Sequence, residues 1–349
     1  MKSPRSLTQS HFRALSDAFL PTQIREEPKI KSDKSRPFYA GEIAWLYNEC
    51  GVLSFVQGRL PDAFALFGLA MQALDNLEPD RERPGPLRAL VSLNRAIVDI
   101  ERGRIRRAAN TLKDIIPTFS ETADKEARLI AEGYLALTFH LAGNFDQAER
   151  RYKSIIKELV KLRRSRSASI FSKHYADLLR RRGNVQRAQA VVTEAIQLAQ
   201  EGNHEDVRHL AILSEAKILI ESPLEQFKPE PIHSRLDMVE RYARVMGIPR
   251  MTAEVHGLRA RLHKRSGDLR TAGSFAEKSL EIASLHELQV RKASDLVLYA
   301  SINLKRGFRR DCRPLLEEAL AITRDTEYYA AYAQAQELLH GLERSGESE

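Results

Sequence analysis

Six glycines recur in phase along this chain: Gly58, Gly103, Gly143, Gly183, Gly267 and Gly307, at spacings of 45, 40, 40, 84 and 40 residues. Five positions after each stands a small residue: Ala63, Ala108, Ala148, Ala188, Ala272 and Cys312. The spacing of 84 is two periods of 42, so one unit has lost its glycine. Its turn falls near Ser222–Pro223, where the insertion PLEQFKPEP follows. A fixed period in this range means stacked supersecondary units, each burying its apolar face only against its neighbours. The 349 residues would otherwise approach the upper limit of a single compact core.

Each unit reads as two helices. Before Gly58, the residues Ile43, Leu46, Tyr47, Cys50 and Leu53 are spaced to form one apolar stripe. Glycine then supplies the left-handed residue that ends the helix. A second helix follows through Ala63, Leu66, Phe67, Ala70 and Leu74. The small residue after the turn belongs where the two helices cross closely. Cys312 suits that slot as a small hydrophobe, and Cys50 is read as structural too, on the apolar stripe. The two cysteines show neither zinc-ligand spacing nor a disulfide framework, which fits a reducing cytoplasm.

The order small residue, Gly, Ala, large residue resembles the tetratricopeptide repeat (TPR). It is carried by Gly51…Gly58…Ala63…Phe67…Ala70, Ala136…Gly143…Ala148…Tyr152, Ala176…Gly183…Ala188…Ala195 and Ala300…Gly307…Cys312…Ala319, and more loosely by Ala96…Gly103…Ala108…Leu112 and Ala260…Gly267…Ala272. The standard repeat is about 34 residues. The period near 40 is similar instead to the longer repeats of MalT-type regulators, Rap-type peptide receptors and kinesin light chains. The resemblance implies an all-α, right-handed α-solenoid of about seven antiparallel helix pairs plus a C-terminal capping helix. It spans residues 41–343, with a degenerate fifth unit at about 206–247. Residues 1–40 hold four prolines and read as a mostly disordered or extended segment with a short helix near 10–19; residues 344–349 read as a frayed tail.

Chemistry-bearing motifs are missing. The sequence has no phosphate-cradling glycine loop, no HExxH and no GxSxG. His256 and His263 read as packing residues rather than metal ligands, and His204 and His209 as surface residues at a helix start. The expectation is a non-enzyme with no cofactor and no metal. The longest nearly apolar run, about Phe64–Met71, falls well short of the ~20 residues a membrane span needs.

Charge is more informative. The net charge is +8, and residues 150–187 carry thirteen Lys/Arg against two acids. A basic patch is therefore expected at Arg150, Arg151, Lys153, Lys157, Lys161, Arg163, Arg164 and Arg166. In the resembled family the first helix of each pair lines the concave groove. That phase places Asn48 and Phe55 (first unit), His140 (third), Lys173, Asp177, Arg180 and Arg181 (fourth), Arg261, Lys264 and Arg265 (sixth) and Lys305 (seventh) in the groove. It would be apolar at its N-terminal end and cationic from the fourth unit on. The expected function is a regulatory or signalling scaffold binding an acidic peptide or protein segment. Nucleic-acid binding through the Arg150–Arg187 block is the alternative. Homodimerisation through an exposed apolar patch at Trp45, Phe55 and Val56 is a further reading.

Overall fold

The computed structural model describes residues 40–75, 85–122, 124–326 and 328–346. The expected short helix near 10–19 lies outside them. The described residues form fifteen α-helices and no strand. They are α1 (Ala40–Val56), α2 (Leu60–Asp75), α3 (Pro86–Glu101), α4 (Ile105–Glu121), α5 (Lys125–Leu141), α6 (Phe145–Lys161), α7 (Ser165–Arg181), α8 (Val185–Glu201), α9 (Glu205–Glu221), α10 (Pro229–Met246), α11 (Pro249–Arg265), α12 (Leu269–Leu285), α13 (Gln289–Lys305), α14 (Cys312–Thr326) and α15 (Tyr329–Gly346). Seven antiparallel pairs thus form a right-handed solenoid, and α15 caps it. The capping helix continues to Gly346, into the segment read as tail.

The phased glycines do what the repeat requires. All six have positive φ, from 74° at Gly58 to 87° at Gly267 and Gly307. That region is strained for any residue with a Cβ. The fifth unit lacks this device: Ser222 ends α9 in an extended conformation, and a short 3-10 turn, Leu224–Gln226, leads to α10. The small residues after the turns are fully buried, Cys312 among them.

First and second helices are buried differently. Outer helix α6 hides one stripe, Ala148, Tyr152, Ile155 and Leu159. Inner helix α5 hides residues on two faces, from Ala127, Ala131 and Leu135 to Leu129, Ala136 and Leu141. It packs between the outer helix of its own unit and that of the unit before. Gly133 makes one such packing possible, because the Phe171 ring lies 2.2 Å from where a Cβ would stand.

The first unit departs from expectation. Cys50 is exposed, and Leu46 is 47% exposed. The buried face of α1 runs instead through Ala44, Asn48, Gly51 and Val52. Three small or polar residues on that face hid it from an apolarity count.

The solenoid also closes on itself. Gly58 lies against Pro249 at the start of α11. Glu101 at the end of α3 accepts from Arg250 at 2.6 Å, and Arg102 pairs with Glu287 at 3.2 Å. Gly143 packs on Tyr329, and Arg181 donates to the Tyr328 hydroxyl at 2.9 Å. Units one to four therefore meet unit six, the junction of units six and seven, and the cap: each turn rests on an element four to five units further on. The core follows the same route, since Leu93, Ala96 and Ile100 share a cluster with Leu296, Val297 and Tyr328.

Candidate functional site

Closure turns the concave groove into a channel walled by the inner helices. Its best-developed wall is built from α7, α9, α11 and α13. Asp177 is held by two arginines one turn further along α7: Arg180 Nε and Nη2 reach Oδ1 at 3.0 and 2.9 Å, and Arg181 Nε reaches Oδ2 at 3.1 Å. Arg180 also forks onto Glu221 with both contacts at 2.7 Å. Burial works to raise the Asp177 carboxyl, but Arg180, Arg181 and Lys217 hold it well below the usual carboxylate range. Lys217 pairs with Glu254. Burial likewise opposes ionisation of Glu254, yet Lys217 and then Arg291 bring it down to about 2.

Three cations in this wall have no acid partner among the described residues. Lys173 makes neither an ion pair nor a hydrogen bond, and burial pushes its ammonium down to about 8 against the pull of Glu254. Arg261 is likewise without a partner, and burial, then Arg291 and Arg180, lower its pKa. Lys264 donates only to the Ser301 hydroxyl, at 2.7 Å. Burial, then Lys305 and Arg261, push it down to about 8. A buried charge without a counter-charge is costly.

The groove phase read from the sequence needs several corrections. Asn48 is buried, and its amide oxygen accepts from Asn94 Nδ2 at 2.9 Å. His140 is 1% exposed. Its ring sits edge-on to Phe145 and Tyr152, and burial, then Arg181, push it down to about 3. Both side chains hold helices together instead of facing a ligand. Phe55 is half-buried under the Arg250 guanidinium, 5.4 Å from its ring centre, so the apolar N-terminal end is covered by the sixth unit. Trp45 and Val56 are half-buried too. Arg265 donates to the Ile220 and Ser222 carbonyls and lies 4.2 Å from the Phe227 ring centre. It caps α9 and pins the insertion. Lys305 is exposed.

Arg250, Lys217, Glu254, Arg291 and Asp295 belong to the same wall but were missed. A signal existed: Lys217 lies six residues before the lost turn of the fifth unit, in the register of Asp177 and Arg261. Glu254 lies two helical turns before Arg261 on the same face, and Arg250 one turn earlier still.

The expected basic patch lies on outer helix α6, the turn after it and the start of α7. Half of it is tied to acids: Lys153 to Glu149 at 2.7 Å, Lys161 to Glu158 at 2.8 Å, Arg164 to Glu126 at 2.8 Å and Arg166 to Asp206 at 2.7 Å through both nitrogens. Arg151 lies over the Phe139 ring. Arg150, Lys157 and Arg163 are exposed. The histidines pack: His256 and His263 stack on Phe275. His209 is buried against Tyr242 at 4.0 Å between ring centres, which corrects its surface assignment. No group of three His, Cys, Asp or Glu among the described residues could hold a metal, and no described helix is long and apolar enough to cross a membrane.

No family model matches the chain, and no curated protein is similar to it in sequence. Solved structures are. The Rap conjugation gene regulator of plasmid pLS20, in complex with the Phr* peptide, aligns with a TM-score of 0.61 at 11% identity, over 90% of this chain and 81% of that one. A Rap protein complexed with competence and sporulation factor aligns at 0.54 and 15%, over 87% and 88%. A signal-transduction ATPase with a tetratricopeptide-repeat sensor, from Pyrococcus horikoshii, aligns at 0.51 and 12%, over 95% of this chain but 49% of that one. The fold is therefore that of a TPR-like helical-repeat array. Within that class it is of the long-repeat kind, similar to the Rap arrays.

Proposed function

We propose that this chain is a protein-interaction scaffold whose inner channel binds an extended, acidic peptide or protein segment, and that it serves as a regulatory subunit. The observation that carries this reading is the set Lys173, Arg261 and Lys264, cations held inside the channel without acid partners while their neighbours are paired. Carboxylates arriving on a ligand would supply the missing counter-charge through charge-assisted hydrogen bonds. The inner helices leave a continuous lining to receive such a segment. One of the similar structures holds the Phr* peptide and another the competence and sporulation factor, which supports the same use of the fold here. Nucleic-acid binding has less support, because Lys153, Lys161, Arg164 and Arg166 are each engaged by an acid.

The test is a fluorescence-anisotropy titration of a labelled hexaglutamate peptide at about 0.15 M salt, where long-range surface attraction is screened. Saturable binding is expected, with a hexaglutamine peptide failing to bind. Equal behaviour of the two peptides would remove the acidic-segment reading.

A further inference from the structure

Helix α11 carries four arginines along its second half and N-terminus, and they do not share a fate. Arg250 pairs with Glu101. Arg259 reaches Asp237 at 2.6 Å and Glu240 at 2.7 Å. Arg265 caps α9. Arg261 has no ion pair and no hydrogen bond to any described residue. The carboxylates whose fields reach it are Asp295 and Glu221. Glu221 is taken by Arg180, and Asp295 is held at Oδ2 by Arg291 at 2.9 Å and by Ser279 at 2.6 Å, while its buried Oδ1 makes no hydrogen bond, to Arg261 or to any other described residue.

A second observation concerns the backbone beside Arg261. One turn earlier stands Gly257, inside a helix where glycine costs about 1 kcal/mol relative to alanine. Arg291 Nη2 lies 1.8 Å from the place a Cβ would occupy. The missing side chain lets the Arg291 guanidinium lie directly against α11, next to Arg261. In that gap Arg291 Nη2 reaches the Ala253 carbonyl at 3.4 Å, while its Nε holds Asp295 at 2.9 Å. Arg180 completes the group from α7. Arg180 and Arg291 are balanced by Asp177 and Glu221 and by Asp295, whereas Arg261, on which the fields of both arginines act, has an unengaged fork.

We infer that Arg261, flanked by Arg291 and Arg180, is a carboxylate-binding subsite of the channel. This rests on the scaffold reading above and deepens it by naming the ligand group and the residue that receives it. The carboxylate is either the free C-terminus of the bound segment or one of its acidic side chains.

The experiment compares wild type, Arg261→Gln and Arg261→Lys in peptide binding and in melting. Arg261→Gln should weaken a free-acid hexaglutamate peptide about tenfold or more, and Arg261→Lys should be intermediate because it keeps the charge but loses the fork. Arg261→Gln should also melt higher than wild type, since it deletes an uncompensated charge; a residue that merely supports the fold would melt lower. A C-terminally amidated peptide that loses as much affinity as Arg261→Gln assigns the subsite to the C-terminus. An amide that binds wild type as well as the free acid does, with Arg261→Gln still weak, assigns it to a side-chain carboxylate. If Arg261→Gln binds like wild type, the subsite is overturned while the scaffold reading stands. If neither peptide binds wild type, the scaffold reading fails, and melting in ~20 mM succinate against chloride of equal ionic strength decides the subsite alone. Stabilisation of wild type but not of Arg261→Gln upholds it; equal melting of the two overturns it.

Discussion

The wall of the channel and the outer face of α6 are both rich in arginine and lysine, yet they behave as opposites. On α6, Lys157 and Arg150 point into water, and Lys161 is matched by Glu158 three residues back. Such pairs are worth little, and salt screens them. In the channel, Asp177 joins α7 to its own arginines and, through Arg180, to Glu221 a full repeat away. Lys173 and Lys264 are driven down to about 8. Equal densities of charge in the sequence thus become a solvated face in one place and a strained, partly unsatisfied network in the other. Enclosure by the next superhelical turn makes the difference.

The contrast can be broken most forcefully at Asp177. Asp177→Ala leaves Arg180 with Glu221 alone and Arg181 without any acid among the described residues, in an enclosed site, and should cost about 3–5 kcal/mol in chemical denaturation. Lys157→Glu on α6 should leave the midpoint unchanged. Comparable losses from the two variants would erase the distinction between the regions.

Next in size is a pH effect. The folded pKa of His140, about 3, lies below its unfolded value of 6.5, so the folded state binds fewer protons between those limits. Stability is fully present above pH 6.5 and falls as the pH drops toward 3. His140→Gln should remove about 1.4 kcal/mol per pH unit of that slope between pH 6 and 5. An unchanged slope would mean that His140 is not enclosed.

A smaller effect concerns the ligand. Lys173 and Lys264 deprotonate near pH 8 in the free protein, and only their charged forms attract carboxylates. Affinity for the hexaglutamate peptide should therefore fall about tenfold from pH 7 to 9. Binding that is flat over this range would exclude both lysines from the contact. Smallest of all, the double change Arg150→Glu with Lys157→Glu should alter peptide affinity by less than about twofold at 0.15 M salt. A larger loss, read by the same titration, would move the binding surface to the outer face.

The repeat could be read residue by residue because its determinants are local. A positive-φ glycine and a small residue five places on are steric demands within one helix pair, and they recur wherever the pair recurs. The i, i+3 and i, i+4 partners of Asp177 are local as well. What escaped the sequence is set by contacts across the solenoid. Arg181 meets Tyr328 at a separation of 147 residues, and Arg250 meets Glu101 at 149. No periodicity within a unit encodes which turn will rest on which. The covering of Phe55, and the enclosure of His140 by aromatic rings from α6, were therefore invisible. The fifth unit hid Lys217 because its turn had lost the glycine that sets the register.

The rest of each turn upon an element four to five units further on has a bearing on how such a chain can change over generations. Open helical arrays lengthen or shorten by duplicating or deleting one unit, since a unit meets only its neighbours. Here the loss of a single unit between α3 and α11 would set Glu101 opposite the wrong helix and strand the arginine that now answers it. Divergence by substitution within a fixed number of units is open to this architecture, whereas growth by single repeats is not.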